Sequence, residues 1–354
     1  MVLRRNRWIF TGIAAAALCA LLLLFPKEAR EGAQQGISTC LSVLVPSLFP
    51  FMATTQFAVA SGICQRLASP LDGVMRRLFG VSGVLAPVVV LSLIGGYPVG
   101  ADGIAALYRQ GAVSEQEARQ AALFAVCAGP GFAVSFIGQA LYGNVLLGIL
   151  LLAAQALSVP VLGVLLKKLL RPSAAGNAVK AVTVTVPPFS QALVAAVNST
   201  ARGMLSVCAF VVVFSTLNSI AARLIPFAPI QQVLLVGSEV CGAVTQLAGR
   251  QPIWVVAFAV GFGGICVHCQ IFGILGNIQV NKPLFFSIRM IQGCMTAAAV
   301  QLGLRFLPQT TAVFSSSSQG VPAPPGGSVV SGAVLLAVSI CFFISVKQLM
   351  KQPK

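Results

Sequence analysis

The chain has 354 residues, of which 57% are hydrophobic and only 8% are charged. A soluble domain carries roughly 25% charged residues, so this composition excludes a soluble protein and indicates that lipid surrounds most of the chain. The net charge of +16 does not indicate nucleic-acid binding, because the basic residues lie mostly in short clusters between apolar runs, a pattern that sets membrane topology.

The N-terminal segment has the layout of a signal peptide. Three arginines, Arg4, Arg5 and Arg7, precede an apolar run that ends at Phe25. No small-residue cleavage site follows this run. We therefore predict that residues 1–35 contain an uncleaved N-terminal transmembrane helix.

Apolar runs long enough to cross a bilayer recur along the rest of the chain. We predict an all-α polytopic membrane protein with about eight transmembrane helices and two re-entrant helical hairpins. The predicted spans are residues 8–25, 36–62, 115–141, 143–169, 195–222, 252–276, 284–306 and 329–347. The predicted hairpins, residues 82–108 and 229–249, are interrupted by glycine-rich segments, and no half of a hairpin is long enough to cross alone.

These elements form two predicted repeats, residues 36–170 and 191–307. A cytoplasmic linker at residues 171–190 joins the repeats. A flexible extracytoplasmic loop at residues 308–328 and a C-terminal transmembrane helix with a basic tail at residues 329–354 follow the second repeat. The linker and the loop are rich in Ser, Pro or Gly, which is typical of segments outside the membrane.

The repeats carry the same two motifs in the same order. A glycine-rich segment at residues 95–100 has a counterpart at residues 237–242. A Phe-Ala-Val triplet precedes a glycine-rich break at residues 124–131 and again at residues 258–264. Three full spans in each repeat invert the second repeat in the membrane. Eight alternating spans, with most of the basic residues on the side of Arg4, Arg5 and Arg7, put both termini in the cytoplasm. Inverted repeats with facing broken helices are typical of secondary transporters.

The breaks in the helices indicate a binding site. A helix broken within lipid leaves backbone N–H and C=O groups unpaired, so a break persists only where protein or a polar solute satisfies those groups. Simple packing or kinking by Gly and Pro is the alternative interpretation. The substrate-binding candidates at the breaks are Gly95, Gly96, Tyr97, Pro98, Gly100, Gly129, Pro130, Gly242, Gly263 and Gly264.

Four charged residues fall within the predicted membrane segments. Asp102 and Glu239 each lie in a hairpin, where a carboxylate costs at least about 2.5 kcal/mol, so we predict coupling or gating by a proton or cation, or solute contact for Glu239. Structural pairing with Arg202 or Arg289 is the alternative. Each of these arginines either clamps an anionic group of the solute or extends to the interface.

The single histidine, His268, follows the second break together with Gln270. We predict that both line the cavity and that His268 exchanges protons. Cys266 and Cys269 flank it, but no fourth ligand is evident, so we predict no metal and no other cofactor. Recognisable enzyme signatures are missing, so we expect no enzymatic activity. The predicted partners are the lipid bilayer, a small anionic solute and a coupling proton or cation, and the oligomeric state stays open.

Several motifs together resemble a known family. They are Phe25-Pro26-Lys27-Glu28, Pro46-Ser47-Leu48-Phe49-Pro50-Phe51, Gly96-Tyr97-Pro98-Val99-Gly100, Gly129-Pro130-Gly131-Phe132, Glu239 with Gly242, and Phe262-Gly263-Gly264 through Val267-His268 and Gln270. With them the chain resembles the YlbJ/SpoVV family of sporulation integral membrane proteins, within the wider nucleoside-recognition gate group. It departs from the expected pattern at Asp102, where the family has a lysine.

The resemblance implies a fold similar to concentrative nucleoside transporters, with two gate repeats whose hairpins face each other across a midplane site. It also implies a role in spore formation, since the best described member of the family exports dipicolinic acid from the mother cell across the outer forespore membrane. We therefore predict transport of a small anionic metabolite, with dipicolinic acid as the first candidate. The alternatives are a carrier of nucleosides or other neutral solutes and a non-transporting membrane scaffold for spore-envelope assembly.

Overall fold

The computed structural model describes residues 7–170 and 187–306, and these residues form helices without any strand. The predicted extracytoplasmic loop, the C-terminal span and most of the predicted linker lie outside the described residues. The helices are α1 (Arg7–Leu24), α2 (Pro26–Thr39), α3 (Val45–Ala60), α4 (Ile63–Phe79), α5 (Ala86–Gly95), α6 (Tyr97–Arg109), α7 (Glu115–Phe124), α8 (Val145–Leu169), α9 (Phe189–Leu224), α10 (Ala228–Ser238), α11 (Val240–Leu247), α12 (Ile253–Phe262), α13 (Gly264–Leu275) and α14 (Lys282–Gly303). Two π-helices, Cys40–Leu44 and Gly131–Leu141, and a 3-10 turn at Gly83–Leu85 join some of them.

Five helical runs among the described residues are long and apolar enough to cross a membrane. They are Pro26–Ala60, Val145–Leu169, Phe189–Leu224, Ile253–Leu275 and Lys282–Gly303. A bent pair, Pro70–Phe79 with Gly83–Gly95, raises the number to six if it is one span. The predicted total of eight stays a prediction, because the predicted spans 8–25 and 115–141 contain shorter apolar helices and residues 329–347 are not described.

The second predicted span begins earlier than its apolar run. Pro26 starts α2, ten residues before the predicted start at residue 36. Glu28, Glu31 and Gln35 are polar and lie before the predicted start of the span, yet they are helical. A polar helix of this kind is stable where its side chains face a cavity or the interface instead of lipid.

Glycines allow the long helices to approach closely. A Cβ atom at Gly32 would lie 2.7 Å from the Cα atom of Thr216, and one at Gly36 would lie 2.8 Å from the Cα atom of Val212. These two glycines, four residues apart, form the small-residue pattern that brings membrane helices into backbone contact. They fix α2 against α9.

Helices α5 and α6 fold back on each other at Gly96. The φ of 84° and ψ of −170° at Gly96 are open to glycine alone, which explains why the helix breaks there. Beyond the break the helices pack in antiparallel order, since a Cβ atom at Gly103 would lie 2.8 Å from Cγ1 of Val88. The second interruption, between α10 and α11, occurs at Glu239, whose backbone is extended.

Separate contacts hold the bases of the two folded-back helix pairs. The backbone N–H of Ser82, shortly before α5, donates to Oε1 of Glu117 over 3.0 Å. Arg223 at the end of α9, shortly before α10, lies 3.7 Å from Glu28.

Candidate functional site

The interruptions of the two folded-back helix pairs meet at one small cavity of about 40 Å³. The predicted site residues that line this junction cavity are Gly95, Gly96, Tyr97, Pro98, Gly129, Glu239 and Gln270. Residues from both halves of the chain therefore meet at this cavity. Its location at the middle of the bilayer stays a prediction.

In each half, the folded-back pair contacts the break of the following helix through glycine. A Cβ atom at Gly129 would lie 2.8 Å from the backbone nitrogen of Gly96. In the second half, a Cβ atom at Gly264 would lie 3.0 Å from the carbonyl oxygen of Ser238 and 3.1 Å from the backbone nitrogen of Glu239. A side chain at Gly129 would force the two backbones apart. At Gly264 the neighbouring backbone would have to move by a few tenths of an ångström, and the φ of 74° itself favours glycine.

A side chain from each half of the chain also donates a hydrogen bond to a main-chain carbonyl group of the other half. The hydroxyl group of Tyr97 donates to the carbonyl oxygen of Val260. The guanidinium group of Arg289 donates to the carbonyl oxygen of Val126 and, over 3.1 Å, to that of Leu123. Val126 and Val260 are the third residues of the two Phe-Ala-Val triplets, so the two acceptors occupy corresponding positions, whereas the two donors do not.

Arg289 is therefore held by a helix end. Its side chain is fully buried, at 1% exposure, and it does not line the junction cavity. A cation at the C-terminal end of a helix offsets the partial negative charge of unpaired carbonyl groups. This contact differs from both interpretations made from the sequence, a clamp on a solute anion and extension to the interface.

Glu239 caps α11. Its carboxylate accepts hydrogen bonds from the backbone N–H groups of Cys241, over 2.7 Å, and Gly242, over 2.5 Å. A carboxylate at a helix N-terminus is stabilised by these N–H donors and by the helix dipole. The ion pairs among the described residues are Arg76–Asp72, Arg119–Glu115 and Arg223–Glu28, so the alternative of a structural pair with Arg202 or Arg289 is not seen there.

A second and much larger cavity, of about 660 Å³, meets Glu239 from the other side. Helices α2, α9, α10 and α11 form its walls. Its neutral polar lining residues are Gln35, Thr39, Ser215, Asn218, Ser219, Gln231, Gln232, Thr245, Gln246 and Gln251. Its charged lining residues are Glu31, Glu239 and Arg250. The volume lies in the range of ligand-binding cavities, roughly 300–1,000 Å³.

This polar cavity was not predicted from the sequence. A signal was present, because Glu31, Gln35 and Thr39 recur at every fourth position and share one face of α2. Ser215 and Asn218 form a similar polar face on α9. The separation of about 180 residues between the two faces concealed their proximity.

Glu239 lines both cavities. Its side chain is 1% exposed and lies where the polar cavity and the junction cavity approach each other. The carboxylate of Glu239 and the first turn of α11 therefore lie at the boundary between the two cavities.

Several predicted site residues line neither cavity. Arg202 is exposed on α9. Asp102 is half-buried and accepts a hydrogen bond from Nε2 of Gln56 over 2.5 Å. His268 is buried and donates from Nδ1 to the carbonyl oxygen of Gly264.

The surroundings of His268 are aromatic. The rings of Phe262, Phe285 and Phe286 lie 5.0 to 5.9 Å from the imidazole ring, between centroids. Nε2 of His268 has no hydrogen-bond partner among the described residues. The predicted position of His268 on the cavity wall is therefore not seen, whereas Gln270 lines the junction cavity.

The remaining glycine and proline candidates lie at or near the breaks in the helices. Gly263 has a φ of 84° and separates α12 from α13, while Gly242 lines the polar cavity. Pro130 precedes the π-helix Gly131–Leu141, and Gly100 packs against α5.

A buried amide pair near the breaks was not predicted. Nε2 of Gln292 donates to Oε1 of Gln155 over 3.3 Å, and both side chains are fully buried. Oε1 of Gln155 also lies 3.4 Å from the backbone nitrogen of Ala128 in the break after α7. Asn144 and Asn281 cap α8 and α14, and each glutamine lies eleven residues after its capping asparagine.

The described residues contain no group of three or more His, Cys, Asp or Glu side chains that could hold a metal ion. Cys266 and His268, although close in sequence, have other contacts. Cys266 accepts a hydrogen bond from the side chain of Gln270 over 3.3 Å.

The chain matches a family of known proteins over the first half of the site. Residues 41–147 match the Gate family, described as nucleoside recognition. This region includes the first folded-back helix pair and the break at Gly129. The chain is also 26% identical to the sporulation integral membrane protein YlbJ of Bacillus subtilis, in an alignment of 331 residues that covers 80% of each chain.

Both comparisons confirm the resemblance predicted from the motifs. No solved structure matches the chain. The candidate spanning helices and the similarity to an integral membrane protein fit a multi-pass membrane protein.

Proposed function

We propose that this protein carries a small polar solute across the membrane, and that Glu239 lies on the path of the solute. The observation that carries the proposal is the position of Glu239 between the polar cavity and the junction cavity. Broken helices that meet at a shared site near the middle of the bilayer are the binding architecture of secondary transporters.

The proposed architecture has eight transmembrane helices and two re-entrant hairpins in an inverted repeat. The contacts of Tyr97 with Val260 and of Arg289 with Val126 support it, because the two acceptors occupy corresponding positions in the two halves of the chain. The pair formed by Gln155 and Gln292 adds to this support, because equivalent residues of inverted repeats can meet on their common axis.

We assign the end of the bundle that carries α4 to the cytoplasm. Arg66, Arg76 and Arg77 lie on α4, and the side chain of Lys167 at the end of α8 donates to the carbonyl oxygen of Arg77. An excess of basic residues is typical of the cytoplasmic side. Because the run Pro26–Ala60 is long enough to cross the membrane and ends next to α4, its beginning, which lines the polar cavity, would then face the extracytoplasmic side. A cytoplasmic location of both termini is part of the proposal.

The lining of the polar cavity favours a neutral solute. Its amide and hydroxyl groups offer many donors and acceptors, while Glu31 and Glu239 repel anions and Arg250 is the one cation among its lining residues. This supports the alternative of a nucleoside or similar neutral carrier, in which Glu239 accepts a hydrogen bond from the solute. The description of the matching family as nucleoside recognition supports the same choice.

Dipicolinic acid, the first candidate from the sequence, is the second solute that we propose to test. Its two carboxylates require cationic partners, but Arg202 lies outside both cavities and Arg289 is engaged by main-chain carbonyls. Similarity to a sporulation protein is the observation in its favour, and a role at the outer forespore membrane rests on that similarity alone.

Uptake into proteoliposomes tests the proposal. We expect labelled uridine to accumulate above protein-free controls, Glu239→Gln to reduce the initial rate at least tenfold, and Glu28→Gln to leave it unchanged. Glu28 is a suitable control because it lies outside both cavities and near Arg223. Uptake of dipicolinate without uridine would reverse the proposed solute class, and uptake of neither by correctly folded protein would favour a scaffold.

A further inference from the structure

Helix α4 is set at an angle to its neighbours by two glycines. Gly62 precedes it with a φ of 72°, and Gly80 follows it with a φ of 70°, both in the left-handed region that favours glycine. The segments Pro70–Phe79 and Gly83–Gly95 meet at 98°. If α5 runs along the membrane normal, α4 therefore lies nearly in the plane of the membrane.

One face of α4 packs on the protein and a neighbouring face does not. Met75 and Phe79 are buried, and the Phe79 ring stacks on Phe124 with 5.5 Å between centroids. Leu71, Val74 and Leu78 are 37%, 51% and 43% exposed. Their spacing of three and four residues places them in one stripe. An apolar stripe on an in-plane helix is suited to contact with lipid acyl chains.

Two arginines lie on the next flank of the helix. At 100° per residue, Arg66 and Arg77 fall within about 20° of each other and roughly 100° from the centre of the apolar stripe. Both are exposed, and neither takes part in an ion pair among the described residues. Arg76 differs, because its Nε donates to Asp72 over 2.8 Å.

The basic flank continues onto α8. The ammonium group of Lys167 donates to the carbonyl oxygen of Arg77, and Lys168 beside it is exposed. Asp72, the acidic residue of α4, is occupied by Arg76 and by the backbone N–H of Gly83, over 2.7 Å. The outer flank therefore carries positive charge without an acidic neighbour from its own helix.

We propose that α4 is an interfacial helix that binds anionic phospholipid headgroups of the bilayer through Arg66 and Arg77, with the apolar stripe in the acyl chains. The charge and the adjacent apolar stripe together match an anionic lipid surface. The hydrogen bond from Gly83 to Asp72 connects this helix to the base of α5, so the lipid contact also positions the first folded-back pair. The proposal does not depend on which solute, if any, is transported.

Lipid adducts on the intact protein test the charge contact. Native mass spectrometry of the full chain, released from nanodiscs of equal parts phosphatidylglycerol and phosphatidylcholine, gives the preference for the anionic lipid. We expect the combined variant Arg66→Gln, Arg77→Gln to lower that preference roughly fivefold or more. Arg305→Gln, at an exposed position beyond α14, should leave it unchanged. An unchanged preference in the double variant overturns the proposal.

The depth in the bilayer of a tryptophan introduced on α4 tests the contact of the apolar stripe with the acyl chains. In a Trp8→Phe, Trp254→Phe background, Leu78→Trp should be strongly quenched by lipids with brominated acyl chains. Gly73→Trp is the matched control, because Gly73 lies on the basic flank with open space around it. We expect weak quenching there. Equal quenching at the two positions would show that α4 does not lie with its stripe in the acyl chains and would also overturn the proposal.

Discussion

Gln155 and Gln292 hydrogen-bond to each other in the core, between α8 and α14, from corresponding positions in the two halves of the chain. Further hydrogen bonds support the pair, since Gln155 donates to Thr296 over 2.8 Å and Gln292 donates to Ser158 over 3.0 Å. A buried amide that loses its partner keeps its desolvation cost. The pair therefore joins the two halves specifically.

We expect Gln155→Leu and Gln292→Leu each to lower the free energy of unfolding by about 1–3 kcal/mol, because each removes one hydrogen-bond partner of the remaining buried amide. The double variant should be less destabilised than the sum of the two, since the remaining amide is removed as well. Chemical denaturation in detergent micelles measures these values. Gln279→Leu is the control, because Gln279 is exposed. Strict additivity would contradict direct coupling of the two amides.

Substitutions at Arg289 distinguish its role as a helix cap from a role as a clamp on the solute. We expect Arg289→Met to lower the free energy of unfolding by about 2–3 kcal/mol, because the carbonyl groups of Leu123 and Val126 lose their donors. Arg289→Lys should recover part of the loss, since an ammonium group can donate to one of them. Arg202→Met at the exposed position should have little effect. If Arg289→Met abolished solute binding without any loss of stability, a clamp would be the better explanation.

A substitution at Gly129 tests the contact between its own break and the break at Gly96. A Cβ atom there would lie 2.8 Å from the nitrogen of Gly96 and 2.9 Å from the carbonyl oxygen of Ile94, so Gly129→Ala should separate the breaks. We expect at least a tenfold loss of uptake and a lower melting temperature.

Gly237→Ala is the matched control for Gly129→Ala, because Gly237 lies inside α10 with open space around it. Alanine is the better helix former by about 0.5–1 kcal/mol, so this variant should be as stable as the parent or more so. Uptake assays and thermal unfolding of the two variants measure the difference. A larger defect in Gly237→Ala would mean that the second interruption, not the first, is sterically critical.

Cys241 reports on the junction cavity. Its side chain is 5% exposed and lines that cavity, so it should react slowly with N-ethylmaleimide in the absence of solute. If transport opens the junction, a transported solute should change the labelling rate of a variant that retains Cys241 as its single cysteine. Mass spectrometry follows the reaction.

A variant that retains Cys127 instead provides the comparison, because Cys127 is fully buried and lines neither cavity. Its labelling should stay slow with and without solute. A labelling rate of Cys241 that is indifferent to every transported solute would argue against opening at this point.

The position of the helix breaks was predictable from the sequence to within a few residues. Gly96 breaks the first pair because its backbone conformation is open to glycine alone. In the second pair the helix continues through Gly237, which has a helical backbone, and breaks at Glu239. Glycine content suggested the region, but a side chain able to cap α11 decided the exact residue.

The contacts of the charged residues were not predictable. Arg202 and Arg289 have the same side chain and occur in similarly apolar sequence, yet one is exposed and the other is fully buried. The acceptors of Arg289 lie more than 160 residues earlier in the chain. Local sequence contains no information about which remote helix end a guanidinium group will meet.

The sequence by itself determined that lipid surrounds this protein, that it is helical, and where its helices must break. Each of these properties follows from the hydrophobicity and the backbone preferences of residues within a short window of the sequence. Only the tertiary structure decided that Glu239 lies between two cavities and that a polar cavity forms between α2 and α9. Cavities and buried hydrogen bonds arise where remote helices pack, and such packing depends on the whole set of contacts and not on any one segment.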